Sequence, residues 1–185
     1  GESFLNIAVG WMESKNLYDL KHVPGLIFEG KWNSFPYKSR QAILNHLKEL
    51  QPDTWWNIQT FVSSIKKQDP EFLRQSSDYD NWYIRSEDSK EYLQGFHHWD
   101  QIEGEFIKYL IKGPLFWYGF VDLASTDKDI ASVSFRLSKR ANYFLSKKIY
   151  PKRTEETEKV YISSKLILDV PRLCQRTIRY HLSRF

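Results

Sequence analysis

Cysteine is almost missing: Cys174 stands alone among 185 residues. One thiol cannot close an internal disulfide, and it excludes a zinc site built from several cysteines. A reducing cytoplasm is the expected setting. No apolar run approaches the ~20 residues of a membrane span, so no membrane partner is expected. No charged-then-apolar leader opens the chain. The motifs GxGxxG, GxxxxGK[ST], GxSxG and HExxH are also missing. Without a phosphate-cradling loop there is no ATPase engine. The chain is expected to be no enzyme, to need no cofactor and to take no small-molecule substrate.

Aromatic residues, by contrast, are plentiful: 7 Trp, 11 Tyr and 12 Phe, within a hydrophobic share of 41%. That composition builds a packed core and argues against disorder. The net charge of +4 hides an asymmetry. Residues 1–138 hold 15 Lys+Arg against 19 Asp+Glu, a balance of −4, whereas residues 139–185 hold 12 against 4, a balance of +8. A basic end on an acidic body reads as a directional face for phosphate backbone. It reads equally as a solubilising surface whose acidic partner lies elsewhere in a longer chain.

Apolar spacing predicts a helix over residues 4–13, from Phe4, Ile7, Ala8 and Trp11. Residues 17–36, punctuated by Pro24, Gly25 and Gly30, read as an ordered loop. Two more helices are predicted, over 37–50 and 54–67, the second capped by Asp53. So short a link predicts an antiparallel pair or a helix-turn-helix. Residues 82–85 and 92–95 read as a hairpin around the polar turn 86–91. Asp100 is then expected to cap a helix, with Glu103 completing a capping box. Ile102, Phe106, Tyr109 and Leu110 would be its buried stripe, and Gly113-Pro114 its end or kink.

The most telling stretch is 113–145, GPLFWYGFVDLASTDKDIASVSFRLSKRANYFL. A helix end leads to a strand over 120–124, a polar tip over 125–129, a strand over 133–137 and a basic helix. Helix, strand, tip, strand is the order in which a winged helix closes. The expected fold is therefore α+β and mainly α: a helical N-terminal part over 1–70 and a winged helix with a β-hairpin wing over 71–148. The charged segment 149–159 reads as a linker. Residues 160–185 read as the start of a strand-turn-strand-helix unit, with Pro171 in the first turn of its helix.

Two sets of cations are candidates for nucleic-acid contact. Arg136, Lys139, Arg140, Lys147, Lys148, Lys152 and Arg153 follow the wing, where acids are scarce; phosphate neutralisation draws on such a cluster. Arg172, Arg176 and Arg179 would form a ridge on the last helix, opposite Cys174, Ile178, Leu182 and Phe185. The bland reading of both sets is a solvated surface. The wing tip carries Asp127 and Asp129, which suits a minor groove poorly. An apolar face still open at Phe185 raises the expectation of a piece of a longer chain.

Other clusters carry less. His98 and Asp100 are two ligands without a third, and helix packing with one exposed imidazole explains the His97-His98 pair better. Asp78 and Asp80 read as turn residues rather than paired acids. Cys174 and His181 sit about 10 Å apart by helical rise, too far for a nucleophile and its base.

The strings GPLFWYGFVDLA and SFRLSKRANYFL resemble a bacterial winged-helix domain whose usual form is G-P-L-x-W-L-G-L-V-D-L followed by F-R-L-T. Tyr118 stands where Leu is usual, and Ser138 where Thr is. The tail VYISSKLILDVPRLCQRTIRYHLSRF is similar to the opening of the helicase-associated domain of XPB-type DNA repair helicases. Upstream, WYIRSEDSKEYLQGFHHWDQIEGEFIKYLIKGPL fits the hairpin and helix before the wing. The resemblance covers roughly residues 80–185. It implies a DNA-associated or protein-docking accessory module and brings no catalytic residues. DNA, or other domains of a longer chain, are the partners it implies.

Overall fold

In the computed structural model the described residues are 2–29, 35–74, 79–126, 129–145, 159–165, 167–171 and 174–184. Among them are six helices and seven short strands, a mainly helical α+β protein, as expected. The chain divides into two compact units, residues 1–150 and 151–185. The boundary expected near residue 70 falls inside the first unit, whose core draws on both sides of it, from Ile43 and Phe61 to Phe106 and Phe135. The expected linker lies outside the described residues but for Lys159.

The first unit opens with helix α1, Glu2–Glu13. It buries Ala8, Trp11 and Met12, while Ile7 faces out. A 3-10 turn at Asp19–His22 and strand β1, Leu26–Phe28, follow within the stretch read as a loop. Helix α2, Pro36–Lys48, starts on a proline whose missing N–H costs nothing at that position. Its inner face is Ile43, Leu44 and Leu47, joined by the fully buried Arg40.

Arg40 has no charge-free role in such a core, so it needs partners. Its Nε donates to Asp19 Oδ2 at 2.6 Å. Its Nη1 reaches Trp11 O and Met12 O, and its Nη2 donates to Ser14 O and Leu17 O at 2.7 Å each. Carbonyls at the end of α1, which have no partner within the helix, are thereby satisfied. Trp11 Nε1 closes the cluster on Asp19 Oδ1 at 2.9 Å.

The predicted second helix is corrected at its start. Trp56–Asn57 forms strand β2, and helix α3 runs Ile58–Gln68. Asn57, not Asp53, caps it: Asn57 Oδ1 accepts from Thr60 N at 3.0 Å. Asp53 instead sits in the turn at φ 56°, a conformation that aspartate tolerates. The two helices are thus joined through a strand, because Trp56 finds a partner across the sheet in Phe135.

The predicted hairpin closes around the turn 86–91, where Leu93 N donates to Ile84 O at 2.8 Å and Ser86 N to Glu91 O at 3.0 Å. Strand β3, Ile84–Ser86, bridges the returning segment at Arg85–Tyr92 and on its other edge pairs antiparallel with β1, which the sequence did not suggest. Asp100 caps nothing, since a 3-10 turn at Phe96–His98 precedes it and Trp99 is already helical at φ −54°, ψ −44°. Asp100 accepts from Lys66 Nζ at 2.6 Å instead. From Asp100 the backbone makes a π turn to Gly104, an α-helix, α4, over Glu105–Leu110, and a second π turn over Ile111–Leu115. Gly113, at φ −105° and ψ −105°, marks the expected kink before Pro114.

Strands β4, Val121–Thr126, and β5, Asp129–Leu137, pair antiparallel, with β2 on the outer edge of β5. The sheet order is β2-β5-β4. Phe135 packs edge-on to Phe61 of α3 at 5.3 Å. Helix α5, Lys139–Leu145, follows β5.

In the second unit, strands β6, Tyr161–Ile162, and β7, Leu168–Asp169, pair antiparallel. Helix α6, Arg176–Leu182, begins five residues after Pro171, so the expected Pro171 start is corrected.

Glu103, placed in the sequence reading as half of a capping box, is fully buried and bidentate on Arg74: Nε to Oε1 at 2.5 Å and Nη2 to Oε2 at 2.7 Å. Burial pushes its carboxyl above the ordinary range, against the pull of the guanidinium. The folded state therefore holds the Glu103 proton more tightly than the unfolded chain. That contribution is complete below the ordinary carboxyl value and is lost as pH rises through the raised one. Arg74→Met strands this carboxylate and is expected to cost about 3–5 kcal/mol at neutral pH. The cost shrinks in acid, where Glu103 can take a proton. Urea unfolding at both pH values checks this; a pH-independent loss would refute it.

Candidate nucleic-acid interface

The end of the α4 segment, the start of β4 and the start of α5 meet in one corner. Three backbone bonds turn the chain there: Tyr118 N to Pro114 O at 2.9 Å, Gly119 N to Phe116 O at 2.8 Å and Phe120 N to Leu115 O at 2.8 Å. Gly119 allows the reversal at φ +66°. Tyr118 packs on Trp11 at 5.4 Å between ring centroids.

Ser138 ties α5 to this turn. Its N donates to Phe120 O at 2.9 Å and its Oγ to Gly119 O at 2.6 Å. The same Oγ accepts from Ala141 N at 3.2 Å, an N-cap bond for α5. Arg140 Nη1 donates to Tyr118 O at 3.2 Å. Lys139 and Lys112 are exposed. Beside them Phe116 and Trp117 are left 46% and 64% exposed. The indole of Trp117 lies over Gly113, where a Cβ would sit 3.6 Å from the ring. Two exposed aromatic rings thus follow the kink, and Lys112, Lys139 and Arg140 stand on the segments that meet at this turn.

The expected site residues separate under this geometry. Lys139 and Arg140 belong to the corner. Arg136 faces out from β5 directly opposite Asp122, with Nη2 donating to its Oδ2 at 2.9 Å. The Arg136 guanidinium also lies 4.8 Å from the centre of the Trp55 ring. Lys147, Lys148, Lys152, Arg153 and Arg172 lie outside the described residues, as does Asp127 of the wing tip. Arg176 opens α6, and Arg179 Nη2 donates to Cys174 O at 3.2 Å. Of the expected three-arginine ridge, α6 holds Arg176 and Arg179, and Arg172 lies outside the described residues.

Cys174 is buried. The rings of His97 and His98 lie 4.0 Å apart and tilted by 47°, and His98 Nδ1 hydrogen-bonds Gln101 Oε1. Among the described residues, no three His, Cys, Asp or Glu side chains gather as a metal site. A hollow lined by Asp19, Leu73 and Phe106 has room for about one water.

Sequence reasoning missed Lys112, Phe116 and Trp117. An unbroken helical period would bury the aromatic pair, but the turn at Gly113-Pro114 rotates it outward. The signal was an FW pair directly after a helix breaker. No family model, no curated protein and no solved structure matches this chain.

Gly119→Ala puts a side chain at positive φ, with its Cβ 3.2 Å from Arg140 Nη1. The expected loss is about 1–2 kcal/mol. Thermal denaturation reads it, and an unchanged midpoint would count against this account of the corner.

Proposed function

We propose that residues 36–145 form a winged-helix module without chemistry of its own, which binds nucleic-acid backbone through the corner at Phe116–Arg140. The observation that carries this reading is the union of exposed Phe116 and Trp117 with Lys112, Lys139 and Arg140. Cations neutralise phosphates and release counterions, while exposed rings stack on bases of any sequence. The element order α2-β2-α3-β3-α4-β4-β5, in which β3 pairs apart with β1 and the three-stranded sheet has the order β2-β5-β4, supports the winged-helix assignment. In this reading the basic segment that follows α5 extends the contact, and the second unit is akin to a helicase-associated segment. The single cysteine suits a cytoplasmic setting. No helix of the described residues is long and apolar enough to cross a membrane.

A second reading, docking on an acidic protein, has one observation in its favour. Residues 139–185 hold 12 Lys+Arg against 4 Asp+Glu, an excess that acidic side chains of a partner would balance as well as phosphates do.

Fluorescence anisotropy with a labelled single strand and its duplex separates the two. Three phosphate contacts give a log–log salt slope of about −2 on the single strand. Trp117→Ala should weaken single-strand binding by about 1–3 kcal/mol, with little change for the duplex. Lys139→Glu should weaken both. An absence of binding at low salt by either nucleic acid would end this proposal.

A further inference from the structure

The second unit carries an exposed apolar face. The β6–β7 ribbon sets Ile162 opposite Leu168. One further step of strand alternation adds Val160 and Val170 to the same face. Ile162 is 70% exposed and Leu168 41%. On the other face Tyr161 and Ile167 are exposed as well. A two-stranded ribbon gains independent stability only when a further element covers its apolar face. Contiguous exposed aliphatic side chains mark a binding surface.

The charge around that face selects the occupant. Among the described residues beside the ribbon stand the exposed Lys159 and Lys165, with one acid, Asp169, in β7 on the face that carries Tyr161. Lys159 precedes β6 and Lys165 lies in the turn, so exposed ammonium groups flank both ends of the ribbon. A second copy of the chain would bring the same cations together, and like charges across an interface are costly. A nucleic acid would satisfy the cations and leave the four aliphatic side chains wet. We infer that the β6–β7 ribbon docks an amphipathic segment of a partner protein, aliphatic on one face and rimmed by carboxylates. The site is separate from the Phe116–Arg140 corner and does not rest on the nucleic-acid reading.

The test uses the full chain and a synthetic amphipathic helix of about 20 residues, leucine on one face and glutamate elsewhere. Its twin carries lysine in place of glutamate. Anisotropy is expected to show saturable binding of the acidic peptide, weakened by salt, and none of the basic twin. Ile162→Ser with Leu168→Ser should lower the affinity about tenfold or more, since the apolar contact is lost. Both positions are exposed, so the fold is retained, as far-UV circular dichroism will report. Lys159→Glu with Lys165→Glu should weaken the acidic peptide and admit the basic one. Trp117→Ala should leave peptide binding unchanged, which separates this site from the nucleic-acid surface. Equal binding of both peptides, or indifference to the Ile162 and Leu168 changes, would overturn the inference. So would a dimer in sedimentation that Ile162→Ser disperses, since a second copy would then be the occupant.

Discussion

A buried ion pair holds the first unit together. Arg74 sits in the irregular stretch after α3, and Glu103 in the π turn that leads into α4. Neither side chain has any exposure. Ions so placed are tolerated only when the geometry satisfies them, and removal of one strands the other. The fork-to-fork match of guanidinium and carboxylate does this, and Arg74 Nη1 also reaches Tyr79 O at 3.2 Å. The pair pins the segment between α3 and α4 to the helix beneath it. The π turn at Asp100–Gly104 accompanies it, widening the backbone where Glu103 faces inward and Gly104 approaches Val62.

Arg40 plays the matching part at the other end of the unit. It gathers Asp19 and four carbonyls, two of them at the end of α1, so the N-terminal helix cannot shift without exposing orphaned acceptors. The two arginines fix the helices on which the sheet rests. That rigidity reaches the Phe116–Arg140 corner through Tyr118, which packs on Trp11 beside the Arg40 cluster. For the nucleic-acid surface proposed above, such a frame would hold the rings in place before any ligand arrives, and preorganisation of this kind lowers the entropic cost of binding.

Much of the fold was legible in the sequence. Apolar spacing located α1, α2 and the body of α3, and alternation located β4 and β5. Gly113-Pro114 marked its kink. Local rules failed where a distant residue competed for the same group. Asp53 and Asp100 both satisfied the rule for a helix cap, yet Trp56 joined a sheet and Trp99 was already helical. Glu103 fitted a capping box by spacing and was claimed by Arg74, 29 positions away. β1 was hidden in a segment of loop-like composition because its partner, β3, lies far along the chain. Of the proposed contact residues, Lys139 and Arg140 were readable from charge, but Phe116 and Trp117 were not.

By itself the sequence determined composition-level and short-range features: an aromatic core, a single buried thiol, the sign change along the chain, and elements whose period is carried by neighbouring residues. These depend on interactions within a turn of helix or a step of strand, which sequence order encodes directly. Only the tertiary structure decided which charges were already matched. Arg136 meets Asp122 across a strand pair, Glu103 meets Arg74 across a core, and Lys66 meets Asp100 between helices. It also decided that an aromatic pair following a helix would face water. Pairing and exposure are properties of approach in space, and a linear pattern of residue types does not fix which groups arrive together.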